Sequence, residues 1–456
     1  MRTLFQKLKQ RPLLRWFLLL VVFTVSTLLG SILYWRYHRL DSFPDVGEPF
    51  DVAAYRAQYD GVAENPFDQI RKASAELRKF QGQPKYRMVT PMVWVPWEKR
   101  RIVEREYIVE TDPALDLWLS VSEASKGYEV HPREYNSSSL LQVSQDSREF
   151  SRLVFARIGR RMEEGKKAEV LQLQNQFLNL NQQFRGNSLI SELCAISCFL
   201  IYCQDVLPFV LQQESINIDD LQQLQQQLRE YHASCPPLSE NMKTEYMMLE
   251  NERAARIAKN SMMSVITRED EASRRMLNLI YQNWMKHCDL PAWERPPYLQ
   301  KMFTTYSQES FLKMGVQRHQ LGMYQSDSNK IILQAYSNLS YTQTLFGEML
   351  PTIQQMTVAT DRDLSRRELA ITVVALHIYY REQGSFPESL DALVPEYLDA
   401  VPRNRDVFNG QPNQVGTPID YQLEEGVVKL RPVERFLQLD LYPPGEDPRL
   451  QKPKDK

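Results

Sequence analysis

Glycine is scarce in this chain, 16 of 456 residues, about half the frequency of an ordinary soluble protein. Leu, Gln, Glu, Arg and Lys are abundant instead, a balance that disfavours a turn-rich β fold and favours long helices. Histidine is held to six residues and cysteine to five. There is no HExxH, no paired CxxC, no Gly-rich phosphate loop and no G-x-S-x-G elbow. Zinc-protease, redox, nucleotide and serine-hydrolase motifs therefore lend no support. A formal net charge of −2 gives no reason to expect nucleic acid as a partner.

One long uncharged run stands out. Trp16 to Trp35 reads WFLLLVVFTVSTLLGSILYW, enough as a helix to cross a hydrocarbon core of roughly 30 Å. Trp16, Tyr34 and Trp35 stand where an aromatic belt meets headgroups, with Arg15, Arg36 and Arg39 flanking. Arg2, Lys7, Lys9, Arg11 and Arg15 precede the span, whereas Asp41, Asp45 and Glu48 soon follow it, so the N-terminus is expected in the cytoplasm. A cleaved signal peptide is the rival, but Leu33, Tyr34, Trp35 and Arg36 offer no small-residue cleavage site. The expected location is the inner (cytoplasmic) membrane, single-pass, with the bilayer as partner through residues 16–35 and the bulk of the chain periplasmic.

Five cysteines are an odd number for an oxidising compartment. Cys194, Cys198 and Cys203 share the apolar run LCAISCFLIYC and read as small buried residues on a helix. Cys235 and Cys288 are left open to bridging. Val170, Leu173, Phe177, Leu180 and Phe184 recur at helical spacing, on a helix expected to start near Ser147 and to break at Gly186. A more apolar helix follows from about Leu189 to Leu211. A third, capped by Asp219 and carrying Leu221, Leu224, Leu228 and Tyr231, ends at Cys235-Pro236-Pro237. Further helices are expected near 239–266, 269–288, 297–313, 328–347 and 362–383. Asn65-Pro66-Phe67-Asp68 starts an earlier one. The aromatic, β-branched run from Tyr86 to Val109 contains two prolines and reads as extended or loop structure. Its Trp94 and Trp97 are expected to cover the helical core, with a partner or the membrane surface as the rival.

After Arg367 the pattern changes. A helix bearing Leu369, Val373, Leu376 and Tyr380 ends at Gly384, and Phe386-Pro387 opens a short helix with Leu390, Leu393 and Val394. Asn409-Gly410 signals a turn. Ile419, Tyr421 and Leu423 alternate, Glu425-Gly426 turns, and Val427, Val428 and Leu430 return, a small hairpin. The series Leu376-His377-Ile378-Tyr379-Tyr380, Gly384-Ser385-Phe386-Pro387, Leu393-Val394-Pro395, Val401-Pro402 and Phe408-Asn409-Gly410 resembles the periplasmic part of type II secretion major pseudopilins. The span lacks that family's Gly-Phe processing junction and embedded Glu, so pilus polymerisation is not carried over. Its calcium-binding loop has no counterpart either, since the hairpin leads to Pro443-Pro444-Gly445-Glu446-Asp447. The middle of the chain, through Asn65-Pro66-Phe67-Asp68, the run from Ala156 to Phe177, Pro236-Pro237-Leu238 and Glu252-Arg253, resembles membrane-anchored helical proteins of planctomycete-type bacteria that end in the same module. That resemblance implies architecture and location and adds no activity.

Candidate chemistry is thin. Cys194 with Cys198 lacks the further ligands of a metal site. His232 with Cys235, and His287 beside Cys288, sit at helix ends, where His commonly helps satisfy carbonyls. His377 reads as a packed helix residue. Glu163-Glu164 and Glu269-Asp270-Glu271 read as solvated or first-turn charges, and Lys99-Arg100-Arg101 as a solvated loop rather than a lipid-binding cluster. No catalytic, cofactor-binding or metal-ligating residue is assigned. The expected organisation is a mainly α protein: a cytoplasmic basic tail (1–15), a transmembrane helix (16–35), a linker and entry helix (36–64), an extracytoplasmic helical array (65–361), a small α+β pseudopilin-like module with a β-hairpin (362–436), and a polar Pro-rich tail (437–456). Such a chain fits a membrane-anchored structural or interaction protein of the cell envelope, with a partner docked through the C-terminal module. A secretion-system accessory contacting pseudopilins, or an envelope enzyme whose site gathers distant residues, are the other readings.

Overall fold

The computed structural model describes residues 12–41, 45–62, 64–86, 89, 91–136, 142–259, 268–291, 294, 340–405, 416–432 and 438–450. The helix expected at 297–313, most of that at 328–347 and the Asn409-Gly410 turn lie outside them. The protein is mainly helical, with a small antiparallel sheet near its C-terminus.

Helix α1 (Pro12–Asp41) is the N-terminal apolar helix. Helix α2 (Val52–Ala57) is capped by Asp51, whose carboxylate accepts from the Ala54 amide at 2.8 Å. Helix α3 (Pro66–Gln81) starts as the sequence suggests, with Asn65 as cap, Pro66 at the first helical position and Arg78 and Lys79 in the last turn. Helix α4 (Ile102–Leu119) overturns part of the extended reading of 86–109. Only residues before it form loop and single 3₁₀ turns. The reason is burial: Tyr107, Ile108, Thr111, Ala114, Leu115 and Trp118 lie on one helical face against the core, and tertiary packing overrides weak local propensity.

The single long helix expected from Ser147 to Phe184 is two, α5 (Gln142–Glu163) and α6 (Lys167–Phe184). Gly165 divides them in the left-handed region, at φ +72°, where a side chain would be strained. Gly186 (φ +68°) does break the next junction. A Cβ there would fall 2.8 Å from Pro236 Cγ. Helix α7 (Leu189–Ile201) then runs through a π turn (Tyr202–Val206) into α8 (Leu207–Leu211). Pro208 has no N–H to give the Gln204 carbonyl, which widens the turn. That carbonyl accepts from Arg449 Nη1 instead, at 3.3 Å.

Helix α9 (Ile218–Ser234) carries the expected buried stripe of Leu221, Leu224, Leu228 and Tyr231, but its cap is Asn217 and not Asp219. The Asn217 side chain accepts from the Asp220 amide at 2.9 Å, and the Asp220 carboxylate accepts from the Asn217 amide at 2.8 Å, a reciprocal box. Helices α10 (Leu238–Lys259), α11 (Glu269–Met285) and α12 (Ser340–Gln383) follow. The start expected at 362 falls inside α12 because Asp363 sits on its buried face, paired to another helix.

After Gly384, a 3₁₀ turn (Leu390–Leu393) leads to β1 (Asp420–Glu424), which pairs antiparallel with β2 (Val427–Arg431) from Asp420↔Arg431 to Glu424↔Val427. Glu425 and Gly426, at φ +51° and +79°, form the two-residue turn whose twist suits a hairpin. The last segment is more than a polar tail. Its β3 (Leu439–Leu441) pairs with β2. Beyond it Gln212 clamps the chain, donating to the Tyr442 carbonyl (2.9 Å) and accepting from the Gly445 and Asp447 amides (3.1 and 3.2 Å).

Two cores result. The larger centres on stacked rings: Trp118–Phe150 at 5.2 Å, Phe177–Tyr202 at 5.4 Å and Phe199–Tyr231 at 4.9 Å between centroids. Phe386, Leu390, Val428, Leu430 and Leu441 join this same cluster, so the C-terminal module is packed into the body. The smaller core gathers Val52, Tyr55, Tyr135, Met242, Tyr246, Leu277, Tyr281 and Trp284 from α2, the 128–136 segment, α10 and α11.

Candidate functional site

The C-terminal module meets α9 and α12 along an open groove of about 670 Å³. Its floor is Ile371, Leu398, Ala400, Val401 and Pro402, and its charged walls are Arg229 and Glu230 of α9, Glu368 of α12, and Asp399, Arg403 and Arg405 beyond the 3₁₀ turn. Each wall is fixed by a particular bond. Arg405 makes a bidentate pair with Glu368 (3.2 and 2.6 Å), a geometry that holds both planes rigid. Arg229 donates to the Tyr397 carbonyl at 2.9 Å and lies 3.5 Å from Asp399, which is almost fully exposed. Buried Gln225, one turn away from the surface glutamines, donates to the same carbonyl. Arg403 is held at the rim by the Gly416 carbonyl.

His232 also lines this groove. Burial holds its pKa below the usual value, and the guanidinium groups of Arg367 and Arg405 add to that. It is therefore neutral at physiological pH, and its buried Nδ1 has no hydrogen-bond partner among the described residues. The groove thus combines an apolar floor, matched cations and anions on its walls, and a neutral imidazole. That arrangement can seat an extended chain carrying polar side chains.

The groove rests on a buried ion network. Arg185 is sandwiched between Glu192 (2.7 Å) and Asp363 (2.9 Å), and Asp363 also pairs with Arg367 (3.0 Å). Arg185 Nη2 donates to Tyr231 Oη at 2.7 Å, and Arg367 donates to the His232 carbonyl at 3.1 Å. Burial pushes the Asp363 carboxyl up, but Arg185 and Arg367 more than offset that and leave it below its ordinary value. The network ties α6, α7, α9 and α12 together directly beneath the groove. Single-residue patterns could not reveal it, because the bonded pair Arg185 and Asp363 lie 178 positions apart.

The residues singled out in the sequence are mostly dispersed. All five cysteines lie among the described residues and none is in a disulfide; Cys194, Cys198, Cys203 and Cys288 are buried and Cys235 is half-buried. Burial raises the pKa of Cys194 to about 11 and also raises those of Cys198, Cys203 and Cys235. None is a ready thiolate. His377 is buried against Phe386, its pKa pushed down to about 3 by burial and by Arg381. Glu163 accepts from the Trp97 amide, and Glu164 pairs with Arg160 and Arg161. Asp270 and Glu271 pair with Arg253 and Arg268. Trp94 packs on Phe209 beneath Arg449, and Trp97 beneath Arg160, as core cover. Arg100 is the exception to the solvated-loop reading of 99–101: it is buried and bonded to Glu104 and the Met92 carbonyl. Among the described residues no group of three or more His, Cys, Asp or Glu side chains could hold a metal.

No family model, curated protein or solved structure matches the chain.

Proposed function

We propose that the protein is a membrane-tethered interaction protein of the bacterial cell envelope, which holds its helical body at the inner membrane and seats a partner protein in the groove beside its C-terminal module. The observation that carries this reading is the exposed apolar surface of α1. Trp16–Tyr34 has a mean hydropathy of 2.3 and no residue buried against the body. A surface of that extent in water would drive aggregation, whereas a bilayer covers it. Leu189–Leu211 is also long and apolar, but 67% of it is buried within the body, which makes it a core helix.

The interaction half of the proposal rests on where the groove lies. Its floor and much of its wall belong to the part of the chain that resembles pseudopilins, and α9 supplies the rest. A charge-lined groove gives partner choice and register more than raw affinity. A photo-crosslinking amino acid at Ala400, on the groove floor, is expected to capture a discrete envelope protein in native membranes. Adding Arg403→Glu, which reverses the rim charge, should reduce that adduct at least five-fold. An adduct pattern unchanged by Arg403→Glu, or no adduct from this position, argues against the groove as the docking site.

A further inference from the structure

Glu245 is a buried carboxylate at the seam between the two cores for which no cation partner is found among the described residues. It projects from α10 onto the first turn of α7, where the Leu189 amide donates to its Oε1 at 3.0 Å, and the Tyr135 hydroxyl reaches the same oxygen at 3.4 Å. The groups around it are already committed. On α7, Ser188 bonds Ser191, and Glu192 is held by Arg185 and the Gly186 amide. From the 128–136 segment, Glu129 faces Ser144 and Ser191. On α11, Asn278 accepts from Tyr246, while the Tyr281 hydroxyl is buried with no hydrogen-bond partner among the described residues and close enough to sense the Glu245 charge. On α2, Tyr55 bonds the neighbouring Thr244.

A carboxylate so placed keeps one good hydrogen bond in exchange for its hydration, which costs free energy unless a proton neutralises it. Burial accordingly raises its pKa to about 7, with the Leu189 and Tyr135 donors only partly opposing the rise.

We propose that this seam is a proton-operated latch: with Glu245 protonated, α10 stays seated on α7 and α11, and loss of the proton opens the smaller core. The smaller core also meets the segment that follows α1, through Val46 and Phe50. Arg274 and Arg275 of α11 lie 3.5 and 3.9 Å from Asp45, four residues beyond α1, so loosening α11 loosens the hold on the membrane helix.

The sign follows from linkage. The closed seam binds the proton more tightly than the open one, so closure is favoured below the ordinary carboxyl range and weakens as pH rises towards about 7. Between pH 5.5 and 8 the opening constant should rise about thirty-fold, for a carboxyl moving from about 7 to about 4.5 on opening.

Hydrogen exchange on the full-length chain in detergent tests this. After correction for chemical exchange, protection in α10 and α11 should fall about thirty-fold over that pH range relative to α6, and Glu245→Gln should abolish the difference. Tyr135→Phe, which removes a donor to the charged form, should move the midpoint to higher pH and gives a second readout if the amide variant does not fold. Equal protection at both pH values in the wild type, a fall that persists in Glu245→Gln, or an unmoved midpoint in Tyr135→Phe overturns the latch.

Discussion

Replacing Asp363 by alanine should cost the fold about 3–5 kcal/mol, the loss seen when one member of a buried ion pair is removed and its partner is left charged. The Asp363 side chain is fully buried and Arg185 is 1% exposed, so neither water nor salt can take over. Both guanidinium groups, Arg185 and Arg367, lose their shared carboxylate at once. Urea unfolding should show a lower midpoint with an unchanged slope. Breaking the exposed pair Lys79–Glu76 with Glu76→Ala should cost less than about 1 kcal/mol. A similar small cost at Asp363 would mean that the network contributes little. Its pH dependence also runs opposite to that of Glu245. A carboxyl held below its ordinary value contributes stability that is present above the unfolded pKa and lost as pH falls through the folded one. The ion network therefore weakens in acid while the Glu245 seam tightens.

Deleting residues 1–41 should move the protein from the membrane to the soluble fraction and leave its body folded. None of Trp16–Tyr34 is buried against the rest of the chain, so the deletion removes no core contact there. Both threonine hydroxyls within the span are internally satisfied. Thr24 Oγ1 donates to the Leu20 carbonyl and Thr27 Oγ1 to that of Phe23, each at 2.8 Å. Neither threonine therefore needs a protein partner in lipid. Asp51, which caps α2, and Asp45, which meets α11, are retained. The far-UV circular dichroism and thermal midpoint of the truncated chain should match those of the detergent-solubilised full chain within a few degrees. A truncated body that aggregates or loses its cooperative transition would mean that α1 belongs to the fold.

Much of this architecture is legible from residue order alone, because local rules and packing agree. Leu221, Leu224, Leu228 and Tyr231 face the core as their spacing indicates, and Glu425-Gly426 turns the hairpin. Where the reading failed, tertiary contacts outweighed local signal. The β-branched start of α4 is helical because Tyr107, Ile108 and Trp118 need one buried face. Asp363 lies deep in the core only because Arg185 comes to meet it from the end of α6, a pairing with no sequence periodicity. The final segment reads as a polar tail until Gln212 and the carbonyl freed by Pro208 supply its partners. The groove was invisible for the same reason: α9 and residues 398–405 are far apart in sequence and meet only in the fold.

The proposed tethering carries a sidedness that can be read in one measurement. In a chain whose half-buried Cys235 is replaced by serine, a single new cysteine is placed either at Thr3, before the span, or at Gln222, on the exposed face of α9. Cells with a permeabilised outer membrane are treated with a membrane-impermeant maleimide. The account predicts labelling of Gln222→Cys in intact spheroplasts and of Thr3→Cys only after lysis. Labelling of Thr3→Cys from outside, or of both positions only after lysis, would contradict it.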